Sequence, residues 1–379
     1  MDFSSKLPNV GQTIFTTMSK LANEYKAINL SQGFPNFPTD VKLKELAQNA
    51  VAENHNQYAP LQGLPKLTEI IIEKTNTLYN STYSNEEVCV TAGATQAIFT
   101  IFSTFLKPSD EVIIFKPAYD CYEPAIELNN AIPVLVEMKA PSYSIDWEEV
   151  KQLITSKTKM IVVNNPHNPS GKVFTLEDMQ ALENIVKDTN ILVLSDEVYE
   201  HMTFDGSSHL SVAKFPELQK RSFLVASFGK TFHVTGWKLG YVLAPKELME
   251  EYKKVHQYNV FCVNHPMQVA LAEYLENSEN YLQLSDFYQQ KRDFFNSFLA
   301  QSSFEFTPTQ GSYFQLADYS KVSDLKDTDF CLHLIKDYGI AAIPVSVFNK
   351  DEKCRKVIRF CFAKDEETLT KAGKILAKI

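Results

Sequence analysis

The strongest constraint on how this chain can fold is a series of short apolar runs, each stopping at a polar, aromatic or Gly/Pro-rich segment. Run 111–115 stops at Pro117-Ala-Tyr-Asp-Cys-Tyr122, and run 159–165 at Pro166-His-Asn-Pro-Ser-Gly171. Run 191–195 stops at Asp196-Glu-Val-Tyr199, run 223–227 stops just before Lys230, and 133–137 is a further run. Helical patterns lie between them. Runs this short and this continuously apolar read as strands covered on both faces, which is the signature of a mostly parallel sheet. In such sheets ligands bind beyond the carboxyl ends of the strands. Tyr119, Asn168, Asp196, Tyr199 and Lys230 all fall at or just past those ends.

The rest of the chain fills in around this series. A helix is expected over 14–24, with Ile14, Met18 and Leu21 on one face. A short strand near residue 28 breaks into a Gly/Pro loop, where Gly33 would let the backbone approach a ligand closely. Helices over 41–53 and 66–79 flank a rigid loop, Gln57-Tyr-Ala-Pro-Leu-Gln-Gly-Leu-Pro65. Residues 87–98 run strand, small-residue turn, helix. That turn offers backbone N–H groups for an anion, although its spacing is neither a Walker loop nor GxGxxG and an ordinary βα turn reads the same way. Residues 228–238 read as a tight polar loop between strands 223–227 and 239–244. A long helical region follows from about 248 to 299. Strands at 312–317, 341–344 and 357–362 then form a smaller part. The expected fold is α/β: a large domain (40–285) with a mostly parallel mixed sheet flanked by helices, plus a smaller α/β domain (1–39 and 286–379).

Charge and cysteine usage narrow the function classes. A formal charge of -9 over 379 residues argues against a general nucleic-acid or anionic-membrane binder. The six cysteines are scattered, without a CxxC pair, and several lie in apolar runs, so reduced buried thiols are expected. No His/Cys spacing points to a metal. With no signal segment and no apolar run long enough for a bilayer, the expectation is a cytoplasmic protein.

Two residues stand out chemically. Lys230 follows a strand end, with Ser227 three residues before it and Lys238 close behind. A desolvated lysine can form a Schiff base, and a hydroxyl with a second cation can hold a phosphate. A surface turn with two solvated lysines is the bland alternative for this stretch alone. Arg359 is one of only four arginines and stands inside an apolar strand. A buried guanidinium needs an anionic partner, either an internal carboxylate or that of a substrate. Asp196 could also serve as a helix N-cap before Glu197-Val-Tyr-Glu200.

Five motifs in combination resemble the fold type I pyridoxal-phosphate-dependent aminotransferases. They are Asn165-Pro-His-Asn-Pro-Ser-Gly171, Ser195-Asp-Glu-Val-Tyr199, Ser227-Phe-Gly-Lys230, Gly236-Trp-Lys-Leu-Gly-Tyr241 and Ile358-Arg-Phe360. Within that family the chain is most similar to the bacterial methionine aminotransferases and next to the kynurenine/glutamine transaminases. Ile28-Asn-Leu-Ser-Gln-Gly-Phe-Pro35, Thr91-Ala-Gly-Ala-Thr95 and Ala342-Ile-Pro-Val-Ser-Val-Phe348 carry that closer match.

The resemblance implies the cofactor pyridoxal 5'-phosphate and a role for each matched residue. Lys230 matches the Schiff-base lysine and Asp196 the carboxylate that pairs with the pyridine nitrogen. Tyr199 and Asn168 match the partners of the ring's phenolic oxygen, and Tyr119 the aromatic residue stacked on the ring. Ala94, Thr95, Ser227 and Lys238 match phosphate ligands. Tyr58 matches a tyrosine that reaches the neighbouring subunit's phosphate, which implies a homodimer with shared sites. Arg359, Asn168 and the Gly33 backbone match the α-carboxylate site. Phe15, Phe34 and Tyr119 would lie near the substrate side chain, with Phe261 arriving from the partner.

Many relatives carry arginine where Lys238 stands. The kynurenine enzymes carry tryptophan where Phe15 aligns and histidine where Cys262 aligns, which counts against kynurenine as the preferred substrate. The implied reaction is transamination between an L-amino acid, methionine or aromatic by preference, and a 2-oxo acid. The alternative is a kynurenine/glutamine transaminase with C–S β-lyase activity on cysteine conjugates.

Overall fold

Side chains of successive strand residues leave a sheet on opposite faces, so a strand apolar at every position needs two cores. In the computed structural model, which describes residues 4–379, it has them. Residues 1–3, where the expected small domain begins, lie outside the described residues.

Twelve strands form among the described residues: β1 (Ile28–Asn29), β2 (Val88–Thr91), β3 (Glu111–Lys116), β4 (Ile132–Glu137), β5 (Thr158–Asn164), β6 (Leu192–Asp196), β7 (Ser222–Ser227), β8 (Gly240–Leu243), β9 (Phe314–Asp318), β10 (Ile340–Ala341), β11 (Ile343–Pro344) and β12 (Val357–Cys361). On β5, Ile161 and Val163 join one apolar cluster while Met160 and Val162 join another. Ile113 and Ile114 of β3 divide in the same way, as do Leu224 and Val225 of β7. Each such side chain, fully buried, contributes about 1.5–3 kcal/mol. A single polar replacement on either face of β5 would therefore be costly.

The main sheet has seven strands in the order β2-β8-β7-β6-β5-β3-β4. β3 to β7 pair in parallel with their neighbours, whereas β8 runs antiparallel to both β7 and β2. Six strands therefore end on one rim and β8 begins there. The sheet is mixed and mostly parallel, as expected.

The C-terminal part carries a three-stranded antiparallel sheet, β11-β12-β9, and β1 pairs in parallel with β10. That pairing ties the segment around residue 28 to the C-terminal part of the chain. The run 341–344, expected as one strand, divides between two sheets: β10 ends at Ala341 and β11 starts at Ile343. The expected loop 228–238 is mostly helical turns, Phe228–Thr231 and Thr235–Trp237, so Lys230 sits on a short helix rather than in a loop. The region 248–299 is several helices, with a break after Asn259 at which Phe261 takes φ +69°.

Candidate active site

The carboxyl-end rim faces a cavity of about 290 Å³. Its wall takes Gly93, Ala94 and Thr95 after β2, Tyr119 after β3, and Asn164 and Asn168 at the end of β5. Asp196, Val198 and Tyr199 come at the end of β6, Ser227 and Lys230 after β7, and Lys238 before β8. Phe15, Gln32, Gly33, Phe314 and Arg359 also line it. Lys238 reaches this rim because β8 alone is reversed.

One end of the cavity is built for an anion. The helix Ala94–Phe105 starts at Gly93, which has φ +80° and offers no side-chain cap. An L side chain would be strained there. The first N–H groups of a twelve-residue helix are thus left uncapped at the cavity wall. The Lys238 ammonium lies 3.6 Å from where a Cβ on Gly93 would stand.

At the other end Asp196 is buried. The Tyr122 hydroxyl donates to its Oδ2 at 2.6 Å, and the Val198 N–H approaches Oδ1 at 3.4 Å. Burial pushes the carboxyl up to about 6, against those two donors and the Lys230 charge. No helix follows Asp196, so it caps none. Asn164 staples two neighbours: its amide donates to the Asp196 carbonyl (2.9 Å), and its Oδ1 accepts from the Asn168 N–H (2.7 Å).

Lys230 Nζ lies 3.0 Å from the Tyr313 hydroxyl and 3.1 Å from the Gly33 carbonyl. Tyr313 in turn donates to that same carbonyl. Burial lowers the Lys230 amine to about 8, which makes its neutral, nucleophilic form accessible near neutral pH. Burial likewise raises the Tyr199 phenol. A Cβ on Gly33 would stand 2.8 Å from the Phe314 ring, so only glycine fits this close approach.

Arg359 is 1% exposed. Its Nη1 donates to Asn168 Oδ1 (2.8 Å) and its Nη2 to the Ser31 carbonyl (3.1 Å), while Nε has no partner. Its guanidinium lies 3.8 Å from the Phe314 ring centroid. No carboxylate pairs with it among the described residues. Of the two partners open to it, the internal carboxylate is the one the fold does not supply.

Ala94, Thr95, Tyr119, Asn168, Asp196, Tyr199, Ser227, Lys230, Lys238, Gly33, Arg359 and Phe15 thus meet at one cavity. Tyr58 and Phe261 do not. They stand edge to face on the surface, 5.3 Å apart, with Tyr58 81% exposed. Phe34 is also exposed and outside the wall, 5.1 Å from Lys364 Nζ. Sequence reasoning did not single out Asn164, Tyr122 or Tyr313. Asn164 carried a signal, a polar residue closing an apolar strand. The two tyrosines carried none, because an aromatic residue next to apolar neighbours reads as core.

The sequence model for the family described as "Aminotransferase class I and II" matches residues 25–376. A methionine aminotransferase of Escherichia coli (strain K12) is 46% identical, covering 99% of this chain and 98% of its own. The kynurenine–oxoglutarate transaminase 1 of Homo sapiens is 34% identical, covering 98% and 97%. Among solved structures, an Escherichia coli protein identified as a methionine aminotransferase superposes with TM-score 0.98 at 45% identity over 100% of both chains. The N-succinyldiaminopimelate aminotransferase of Mycobacterium tuberculosis superposes at 0.95 with 32% identity, again over 100% of both. With its family model spanning nearly the whole chain and its fold matched end to end, the protein belongs to the class I and II aminotransferases.

Proposed function

We propose that this aminotransferase uses pyridoxal 5'-phosphate to move the amino group of an L-amino acid onto a 2-oxo acid, as a cytoplasmic homodimer that prefers methionine and aromatic donors. The observation that carries the reading is the convergence, on one cavity, of a lysine with a lowered pKa, a buried carboxylate and a buried guanidinium lacking a carboxylate partner. The residues present fit that cofactor. The uncapped helix N-terminus, Thr95, Ser227 and Lys238 suit its phosphate, and Asp196 suits its ring nitrogen. Tyr199 and Asn168 suit its phenolic oxygen and Tyr119 its ring face. Lys230 suits its aldehyde. When bound, the cofactor supplies an electron-accepting ring that stabilises negative charge at the substrate Cα.

The chain's own groups do the rest. Arg359, steadied by Asn168, binds the substrate α-carboxylate with the fork geometry of a guanidinium. The Lys230 amine, when free, would take the substrate Cα proton and hold it for return on the far side of the substrate nitrogen, at the carbon that the cofactor's aldehyde contributes. The aromatic walls exclude water. Tyr58 and Phe261 lie together on the surface, which supports their serving a partner's cavity. Residues 40–285 hold the seven-stranded sheet, and the β1–β10 pairing supports grouping 1–39 with 286–379 as a second domain.

Donor preference follows from which cations are free. A dicarboxylate donor needs a second cation for its distal carboxylate. Arg292 is tied bidentately to Asp205 at 2.7 Å, Arg221 to the carbonyls of Lys187 and Thr189, and Arg355 to Glu137. Phe15, Tyr119 and Phe314 in the wall suit a thioether or a ring. The names of the similar methionine and kynurenine enzymes support the same class. A donor panel at fixed 2-oxo acid tests it. Methionine and phenylalanine should exceed aspartate in kcat/KM, and an aspartate value equal to or above theirs would overturn the preference.

A further inference from the structure

We infer that Tyr122 is a positioning residue for Asp196: from behind the carboxylate and outside the cavity wall, its hydroxyl holds Asp196 ionised and turned toward the cavity. The inference rests on the proposed cofactor reading and adds a residue to it.

The geometry is specific. Tyr122 opens the short helix Tyr122–Glu127, which follows directly on Tyr119 in the cavity wall. Its ring is buried, and its hydroxyl bonds Asp196 Oδ2 at 2.6 Å. It is the only side-chain donor to Asp196 among the described residues; the Val198 N–H, at 3.4 Å, is a weak second on the other oxygen. Anchoring Oδ2 from behind leaves Oδ1 lightly held.

The surroundings make that donor matter. Burial and the Glu197 charge favour the neutral carboxyl, whereas Tyr122, the Val198 N–H and the Lys230 charge favour the ionised form. Tyr119 and Cys121 from the preceding segment and Tyr199 from the following one also face it, and each would add only repulsion if ionised. The Lys230 contribution is lost whenever its amine is neutral. Tyr122 then remains as the stronger of the two donors, ahead of the Val198 N–H. A hydrogen bond from the same hydroxyl to a carbonyl would fill its valence equally well, so packing alone does not explain why it points at this carboxylate.

The test compares pyridoxal phosphate binding to the wild-type and Tyr122→Phe apoproteins from pH 5.5 to 8.5. Removing a hydrogen bond of ordinary strength should raise the Asp196 pKa by about one unit. The variant should then bind within about twofold of wild type at pH 8.5, roughly fivefold more weakly at pH 6, and approach tenfold below that. With a cofactor analogue whose ring nitrogen is replaced by carbon, the ratio should stay flat with pH. A loss that is the same at every pH, or that persists with the analogue, would mean a merely structural role and overturn the inference. If the phenylalanine variant does not fold, Tyr122→Met removes the same donor. Wild-type apoprotein that binds no pyridoxal phosphate at any pH would instead overturn the cofactor reading itself.

Discussion

At the scale of single residues, Lys230 and Arg359 carry the chemistry because each is buried without the partner its charge calls for. Lys230 rests on two neutral oxygens, from Gly33 and Tyr313, rather than on a carboxylate. Lys230→Ala should still bind pyridoxal phosphate through the anion end of the cavity, yet borohydride should no longer fix the cofactor to the protein. Undiminished labelling of that variant would place the covalent attachment elsewhere. Arg359→Lys keeps the charge and loses the fork. Its kcat/KM should fall at least tenfold for amino acids, about 1.4 kcal/mol for the lost bidentate contact. Amines without a carboxylate should be spared, and an equal loss for both substrate kinds would remove Arg359 from the carboxylate site.

At the scale of elements, the segment after β6 is placed from its reverse side. Asp196, Val198 and Tyr199 face the cavity, and the acidic residues between and after them face away. Glu197 accepts from the Ser195 hydroxyl (2.7 Å), the Val212 N–H (3.1 Å) and His209 Nε2 (2.8 Å). Glu200 accepts from Lys74 Nζ (2.6 Å), the Tyr79 hydroxyl (2.7 Å) and the Tyr241 hydroxyl (2.9 Å). Lys74 and Tyr79 lie on the helix Pro65–Tyr79, and Tyr241 lies on β8. The clamp therefore joins three elements behind the site. Removing one member leaves the other charge buried and alone. Glu200→Ala should lower unfolding free energy by about 3–5 kcal/mol, and replacing Lys74 and Glu200 together by apolar residues should cost less than that. Urea unfolding of the single and paired variants checks this. A paired variant less stable than Glu200→Ala would contradict the account.

At the scale of the whole molecule, burial of histidines sets the acid limit of stability. Burial holds His167, His233 and His256 down to about 4 and His201 to about 3. An unfolded histidine titrates near 6.5, so below that pH the unfolded chain binds protons that the folded chain does not. Each of these residues therefore contributes stability that is complete above about pH 6.5 and is lost as pH falls toward 4, on the order of 1.4 kcal/mol per pH unit crossed. Asp196 acts in the opposite sense: raised to about 6, it adds stability as pH falls below 6, which offsets part of one histidine. Burial would raise Glu200 too, but Lys74 and His201 outweigh it and hold that carboxyl low, so its stability is lost at still lower pH. The urea midpoint should fall steadily from pH 7 to pH 5. A midpoint that held or rose over that range would contradict this balance of buried groups.

Sequence by itself determined the main sheet and most of the site. Strands such as β5 carry an unbroken apolar run, Met160 to Val163, so only a sheet covered on both faces could bury it, and ligand-facing residues then had to follow the carboxyl ends. That places Asn168, Asp196, Tyr199 and Lys230 from local pattern alone. Lys238, Arg359 and Gly33 stood out by their chemistry, as a second cation, a guanidinium in an apolar strand and a loop glycine, but their particular roles came only through the match of whole motifs to a family. What tertiary structure decided was long-range. The reversal of β8 brings Lys238 to the rim, and the division of 340–344 between two sheets follows from pairing with β1 on one side and β12 on the other. The hydroxyls of Tyr122 and Tyr313 reach Asp196 and Lys230 across 74 and 83 residues of chain. No local preference encodes such a contact. An aromatic residue packs its ring for the same reason wherever it lies, and only the completed fold decides what its hydroxyl meets.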